Sequence, residues 1–224
     1  MQDEYGVDLT KVSWYRGGIE APDPVERVEL NLPPRIHLQE IPPGKTINGM
    51  LEAGELDAMI TSLAPSSFLN GSPNVYRLFP NYRDVEMAYY KKTGIFPIMH
   101  TIAIKRDIYD HNQWIAASLM KAFEDAKRHC YQNLGDPSVY QTSLPWLHWH
   151  LEENFRFFGK DPFAYGVEAN RSALETLARY GYEQGLTREK ADVDDMFAKE
   201  AADMVRASSR AGDLGVLRYI RQRT

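Results

Sequence analysis

The period of the apolar positions changes near Pro97. Upstream, apolar residues stand in short alternating or continuous runs, the pattern of strands. Downstream they recur every three or four residues, the pattern of helix faces. Val12-Ser13-Trp14-Tyr15 predicts a short strand ended by Arg16-Gly17-Gly18. Residues 19–34 hold prolines and acids and read as a loop, with a further short strand over 28–30. Ile36-His37-Leu38-Gln39-Glu40-Ile41 alternates, and Pro42-Pro43-Gly44 breaks it. Thr46 can cap a helix through Ile47, Met50 and Leu51 that Gly54 ends. Leu56-Asp57-Ala58-Met59-Ile60-Thr61 then predicts a buried strand. Strand, helix and strand joined by short connections predict α/β architecture with a mainly parallel sheet. Residues 75–78 read as another strand and 84–92 as a helix. Residues 98–104 read as the strongest strand, with Ile98, His100, Ile102 and Ile104 on one face.

The downstream half is helical. Asp110 opens a long helix with Ile115, Leu119, Phe123 and Ala126 at helical spacing and Lys127-Arg128-His129 toward its end, where cations suit the dipole. Residues 143–158 predict a helix with Pro145 in its first turn. Residues 169–185 and 193–207 repeat the amphipathic pattern, and a basic tail follows from Ser208. At the other end, Glu4-Tyr5-Gly6-Val7 reads as a helix terminus with Gly6 left-handed. A helix ending at residue 5 has little room to begin. It is expected of a chain that starts inside a longer protein, or of a frayed tail.

Composition narrows the function class. The 224 residues are 43% hydrophobic and 25% charged, with a net charge of −5. An acidic balance without a basic field argues against a nucleic-acid partner. No run approaches the length of a membrane span, and the polar first residues do not look like a secretory leader. One cysteine, Cys130, allows no internal disulfide and fits a reducing compartment. The expectation is a cytoplasmic protein, or a periplasmic one if a longer N-terminus carries a signal.

Several phrases carry a resemblance. They are Glu4-Tyr5-Gly6-Val7-Asp8-Leu9, Leu51-Glu52-Ala53-Gly54-Glu55-Leu56-Asp57-Ala58, Leu78-Phe79-Pro80-Asn81-Tyr82-Arg83, Thr93-Gly94-Ile95-Phe96-Pro97-Ile98-Met99-His100, and the run from Asp161-Pro162-Phe163-Ala164-Tyr165-Gly166 to Arg171. Together they resemble 4,5-dihydroxyphthalate decarboxylases, over about residues 2–200. That family is similar in fold to type II periplasmic solute-binding proteins. The resemblance implies an α/β fold of two lobes joined by a hinge, a carboxylic acid bound in the cleft, and members longer at the N-terminus. Residues 1–96 would then be most of one lobe. Residues 97–207 would be the hinge strand and helical part of the other, and 208–224 a tail without an assigned role. Phrases of this kind also occur in non-catalytic solute-binding proteins of ABC-type transporters. A binder of a small anionic ligand is therefore the alternative. A lobe with missing strands leaves open sheet edges, which invite pairing of two copies.

Decarboxylation of a dihydroxylated aromatic acid needs a proton donor at the ring carbon and a cation for the carboxylate that stays. The ring is its own electron sink, so no cofactor is called for. His100, with a naturally near-neutral pKa, is the candidate donor; otherwise it is a histidine in or beside the core. Arg83 offers a bidentate fork for a carboxylate, or pairs on the surface with Glu86. Arg16 precedes Gly17 and Gly18, whose backbone amides can face an anion. Thr61 and Ser62 fall at the carboxyl end of an expected strand, where open α/β sheets bind ligands, or form a simple turn. His148 and Glu152 could share a metal ion at helical spacing, but no third ligand is evident, so no metal is expected. His148 and His150 fit aromatic capping of a helix better, and Cys130 reads as an inert small residue.

Overall fold

The computed structural model describes residues 1–22, 32–138, 141–159 and 161–201. These described residues fall into two compact units, one within 1–92 with 181–189 and one within 93–180 with 190–201.

In the first unit, α1 (Gln2–Tyr5) ends on Gly6 at φ 64°, the left-handed position only glycine takes freely. A single 3-10 turn over Leu9–Lys11 follows, and Asp8 caps it by accepting from Thr10 N. Strands β1 (Trp14–Arg16) and β2 (Leu38–Glu40) pair in parallel, with Trp14 opposite Leu38, Tyr15 opposite Gln39 and Arg16 opposite Glu40. Helix α2 (Ile47–Glu52) starts where expected, because Thr46 Oγ1 accepts from Gly49 N at 3.1 Å. Its buried face joins Ile47 and Met50 to Ile41, and Leu56 and Met59 pack against this core. Helix α3 (Ser66–Leu69) is one turn, and α4 (Tyr82–Thr93) closes on Gly94 at φ 69°.

The second unit is helical. Helix α5 (Arg106–His111) is separated from α6 (Trp114–Gly135) by Asn112, whose φ of −145° breaks the expected single helix. Asn112 Nδ2 donates to Ile108 O at 3.2 Å, so the side chain competes for a helical acceptor. Helix α7 (Leu147–Phe158) packs on α6 through Tyr131 and Phe155, whose rings meet edge-on at 5.5 Å. Phe96 packs edge-on against both Phe158 and Phe163. Helix α8 (Val167–Glu183) buries Leu174, and α9 (Val193–Met196) buries Val193.

Several expectations are corrected. Residues 56–61, 75–78 and 98–104 form no strand. The side chains of Ile60, Tyr76 and Met99 are each about four-fifths exposed, at 82%, 80% and 81%. A strand needs a neighbour for its backbone groups, and a period-2 sequence cannot provide one by itself. Pro145 does not open a helix: Trp146 is left-handed at φ 62°, and α7 begins after it. The expected helix over 193–207 breaks at Phe197, which is extended at φ −121°. The strand expected over 28–30 and the tail 208–224 lie outside the described residues.

Candidate functional site

The first group of candidates gathers where β1 ends. Arg16 lies opposite Glu40 in the parallel register, and its Nε donates to Glu40 Oε1 at 2.6 Å. The pairing of the strands thus brings the guanidinium to a carboxylate of the protein itself. Gly17 follows because there is no room for more: a Cβ there would lie 2.3 Å from Ile41 Cδ1. The chain then turns onto α2. Gly18 O accepts from Ile47 N at 3.0 Å and Ile19 O from Asn48 N at 3.1 Å. The loop therefore presents carbonyl oxygens to the helix and uses two of the free donors of its first turn.

Glu20, next along, caps α3. Its carboxylate accepts from Ser66 N at 2.7 Å, Ser66 Oγ at 2.8 Å and Asn48 Nδ2 at 3.0 Å. These bonds hold its carboxyl below the usual carboxylate range, the Ser66 amide contributing most. Asn48 is buried and also accepts from the buried Ser67 hydroxyl. Four residues from three separated segments thus form one polar cluster. No motif in the sequence marks it. The faint signals were a polar residue, Asn48, at the core-facing start of a helix, and the Pro65-Ser66-Ser67 opening of the next.

Thr61 and Ser62 are exposed, and no strand leads to them. Thr61 forms a local turn, exchanging hydrogen bonds of 3.1 Å with the backbone of Leu63. Arg83 is exposed in the first turn of α4. His100 belongs to the second unit and is exposed in the irregular run between α4 and α5.

A polar cluster of the second unit surrounds Lys127, whose side chain is only 9% exposed. Its ammonium lies 2.8 Å from Asp161 Oδ2 and 3.2 Å from Glu124, donates to Phe163 O at 3.1 Å, and sits 4.0 Å over the Tyr165 ring. Asp161 Oδ1 accepts from Tyr131 OH at 2.8 Å and Phe163 N at 2.9 Å. Burial first, and then this bond to a carboxylate, pushes the Tyr131 phenol well above its ordinary range. Asn170 Nδ2 closes the same loop on Ala164 O at 2.7 Å and Gly166 O at 2.9 Å. Arg171 reaches Glu168 and Asp194, each at 2.7 Å. The run from Asp161 to Arg171 is therefore a braced corner of the scaffold. Lys127, expected to complement a helix dipole, is the post that holds it.

His148 and Glu152 share α7 with His150, whose ring meets Trp149 edge-on at 5.1 Å. Among the described residues, no three His, Cys, Asp or Glu side chains group as metal ligands. Cys130 is exposed on α6. No helix among the described residues is long and apolar enough to cross a membrane.

No family model matches the chain. It is 32% identical over 197 residues to a 4,5-dihydroxyphthalate decarboxylase of Comamonas testosteroni, an alignment that covers 88% of this chain and 60% of that protein. A 4,5-dihydroxyphthalate decarboxylase of Pseudomonas putida is 39% identical over 88 residues, 39% of this chain and 33% of that protein. The chain thus spans about 60% of the length of the first of these curated relatives. These homologues, both named 4,5-dihydroxyphthalate decarboxylase, support the family whose phrases the sequence resembles.

Proposed function

We propose that this chain carries part or all of an aromatic-acid decarboxylase, a carboxy-lyase that converts 4,5-dihydroxyphthalate to a dihydroxybenzoate and carbon dioxide. The observation that carries this reading is the 32% identity to a protein of that name over 88% of the chain. The two-lobed fold similar to type II periplasmic-binding proteins is part of the same proposal.

The chemistry follows from the substrate. Each ring hydroxyl is para to one carboxylate and raises electron density at the carbon that bears it. An acid protonates that carbon, the bond to the carboxylate breaks, and its electron pair restores the aromatic ring as carbon dioxide leaves. His100 is the proposed proton donor, and its exposure leaves the imidazole accessible. Arg83 is the proposed holder of the carboxylate that remains, through its guanidinium fork. Arg16 is a weaker holder, because Glu40 already occupies its Nε.

The experiment is incubation of the chain with 4,5-dihydroxyphthalate, following released carbon dioxide and the dihydroxybenzoate. Turnover that falls at least about 100-fold in His100→Ala, with ligand binding retained, is the expected result. Arg83→Ala should raise KM by about tenfold, the loss of one charge-assisted contact of roughly 1.4 kcal/mol. Binding without turnover would replace the enzyme with a solute-binding protein for a small anion. Undiminished turnover in His100→Ala would remove that residue from its role.

A further inference from the structure

We propose that Lys127 and Asp161 are positioning residues for His100, acting through a clamp on Phe163 and the ring of Phe96. The catalytic use of His100 rests on the reaction proposed above; the clamp does not. All of these residues lie in one unit.

The support runs outward from the ion pair. Asp161 Oδ1 accepts from Phe163 N at 2.9 Å, and Lys127 Nζ donates to Phe163 O at 3.1 Å. Lys127 and Asp161 are joined to each other at 2.8 Å. Both backbone polar groups of Phe163 are therefore tied to one pair of charges, through charge-assisted bonds that resist a shift. The Phe163 ring meets Phe96 edge-on at 5.6 Å, and Phe158, the last residue of α7, meets the same ring at 5.1 Å. Phe96 is thus seated on two rings, one carried by a helix and one by the ion pair. The backbone stiffens at the same point. Ile95 N donates to Thr93 Oγ1 at 3.1 Å, and Pro97 fixes its own φ and keeps Phe96 out of the helical region. His100 follows four residues after Phe96, a span of at most about 14 Å when extended. Over so short a lever, a displaced Phe96 displaces the imidazole. A reacting group misplaced by about 1 Å can lose on the order of 100-fold in rate.

The test follows turnover of 4,5-dihydroxyphthalate and, independently of turnover, the order of the His100 imidazole by nuclear magnetic relaxation of labelled histidine. Circular dichroism checks that each variant is folded. Phe96→Ala should lower kcat at least tenfold, leave KM within twofold and loosen the imidazole. Phe96→Tyr keeps the ring and should restore both. Lys127→Met should lower kcat in the parent protein but no further in Phe96→Ala, because its route passes through the missing ring. Leu174→Ala, at a buried residue of α8 outside this series of contacts, should leave kcat unchanged. A protein without turnover would sink the reaction, and the imidazole order would then decide the clamp by itself. The proposal is overturned by an imidazole equally ordered with and without the Phe96 ring, or by a kcat for Phe96→Ala within twofold of the parent. An equal fall in Leu174→Ala, or a Lys127→Met effect of the same size in both backgrounds, overturns it too.

Discussion

Removing the Asp161 carboxylate should be the most damaging single change in the helical unit. This side chain accepts from Lys127 at 2.8 Å, from Tyr131 OH at 2.8 Å and from Phe163 N at 2.9 Å. Asp161→Ala strips a partner from an ammonium whose side chain is 9% exposed and from a buried phenol. A charge-assisted hydrogen bond is worth about 1.5–3 kcal/mol, and an orphaned buried hydroxyl costs about 1–3 kcal/mol. Glu124 and Phe163 O still hold Lys127, so its charge is not abandoned. The low end of each range applies, and the expected loss is about 2.5–4 kcal/mol. Asp161→Asn keeps an acceptor for Tyr131 and Phe163 but loses the charge and the oxygen that faces Lys127, so it should cost less than Asp161→Ala, about 1–2 kcal/mol. Urea unfolding, followed by near-ultraviolet circular dichroism of the aromatic cluster, measures both. A cost below about 0.5 kcal/mol for Asp161→Ala, or equal costs for the Asn and Ala variants, would show that this carboxylate does not brace the corner.

The other unit offers three tests. Gly17→Ala should lower stability by about 1–3 kcal/mol, because the new methyl meets Ile41 Cδ1 at 2.3 Å within the core; Ile41→Val should recover part of the loss in the double variant. Thr46→Ala removes the acceptor for Gly49 N and should cost about 1 kcal/mol in the same unfolding assay. The Glu20 cap should be pH-dependent. Its carboxyl is held below the ordinary glutamate range, so its contribution is complete above that range and fades as pH falls through the lower folded value. Thermal midpoints of the protein and of Glu20→Gln should therefore differ at neutral pH and converge in acid; a gap that is constant with pH would contradict this.

The parts of the fold that could be read from the chain are those governed by near neighbours. Thr46 caps α2, Gly6 ends α1 and Gly94 ends α4 because caps and left-handed turns involve residues a few positions apart. The bodies of α4, α6 and α8 follow from helical spacing for the same reason. Even there, one side chain can win locally: Asn112 splits the helix expected from Asp110, and a left-handed Trp146 delays α7 past Pro145.

Strands fail this test. The alternation in 98–104 is as clear as in 36–41, yet only the latter has a neighbour, β1, to complete its hydrogen bonds. The candidate chemistry divides in the same way. Arg16, Arg83 and His100 could be named from residue type alone. That Arg16 meets Glu40 depends on a strand register 24 positions away, and the Glu20, Asn48, Ser66 and Ser67 cluster joins segments up to 46 positions apart. Lys127 looked like a surface cation on a helix until the Asp161 corner closed over it. Local periodicity reports which face of an element is apolar. Which face it meets, and which polar groups are desolvated together, depends on distant residues for which the linear order carries no distance.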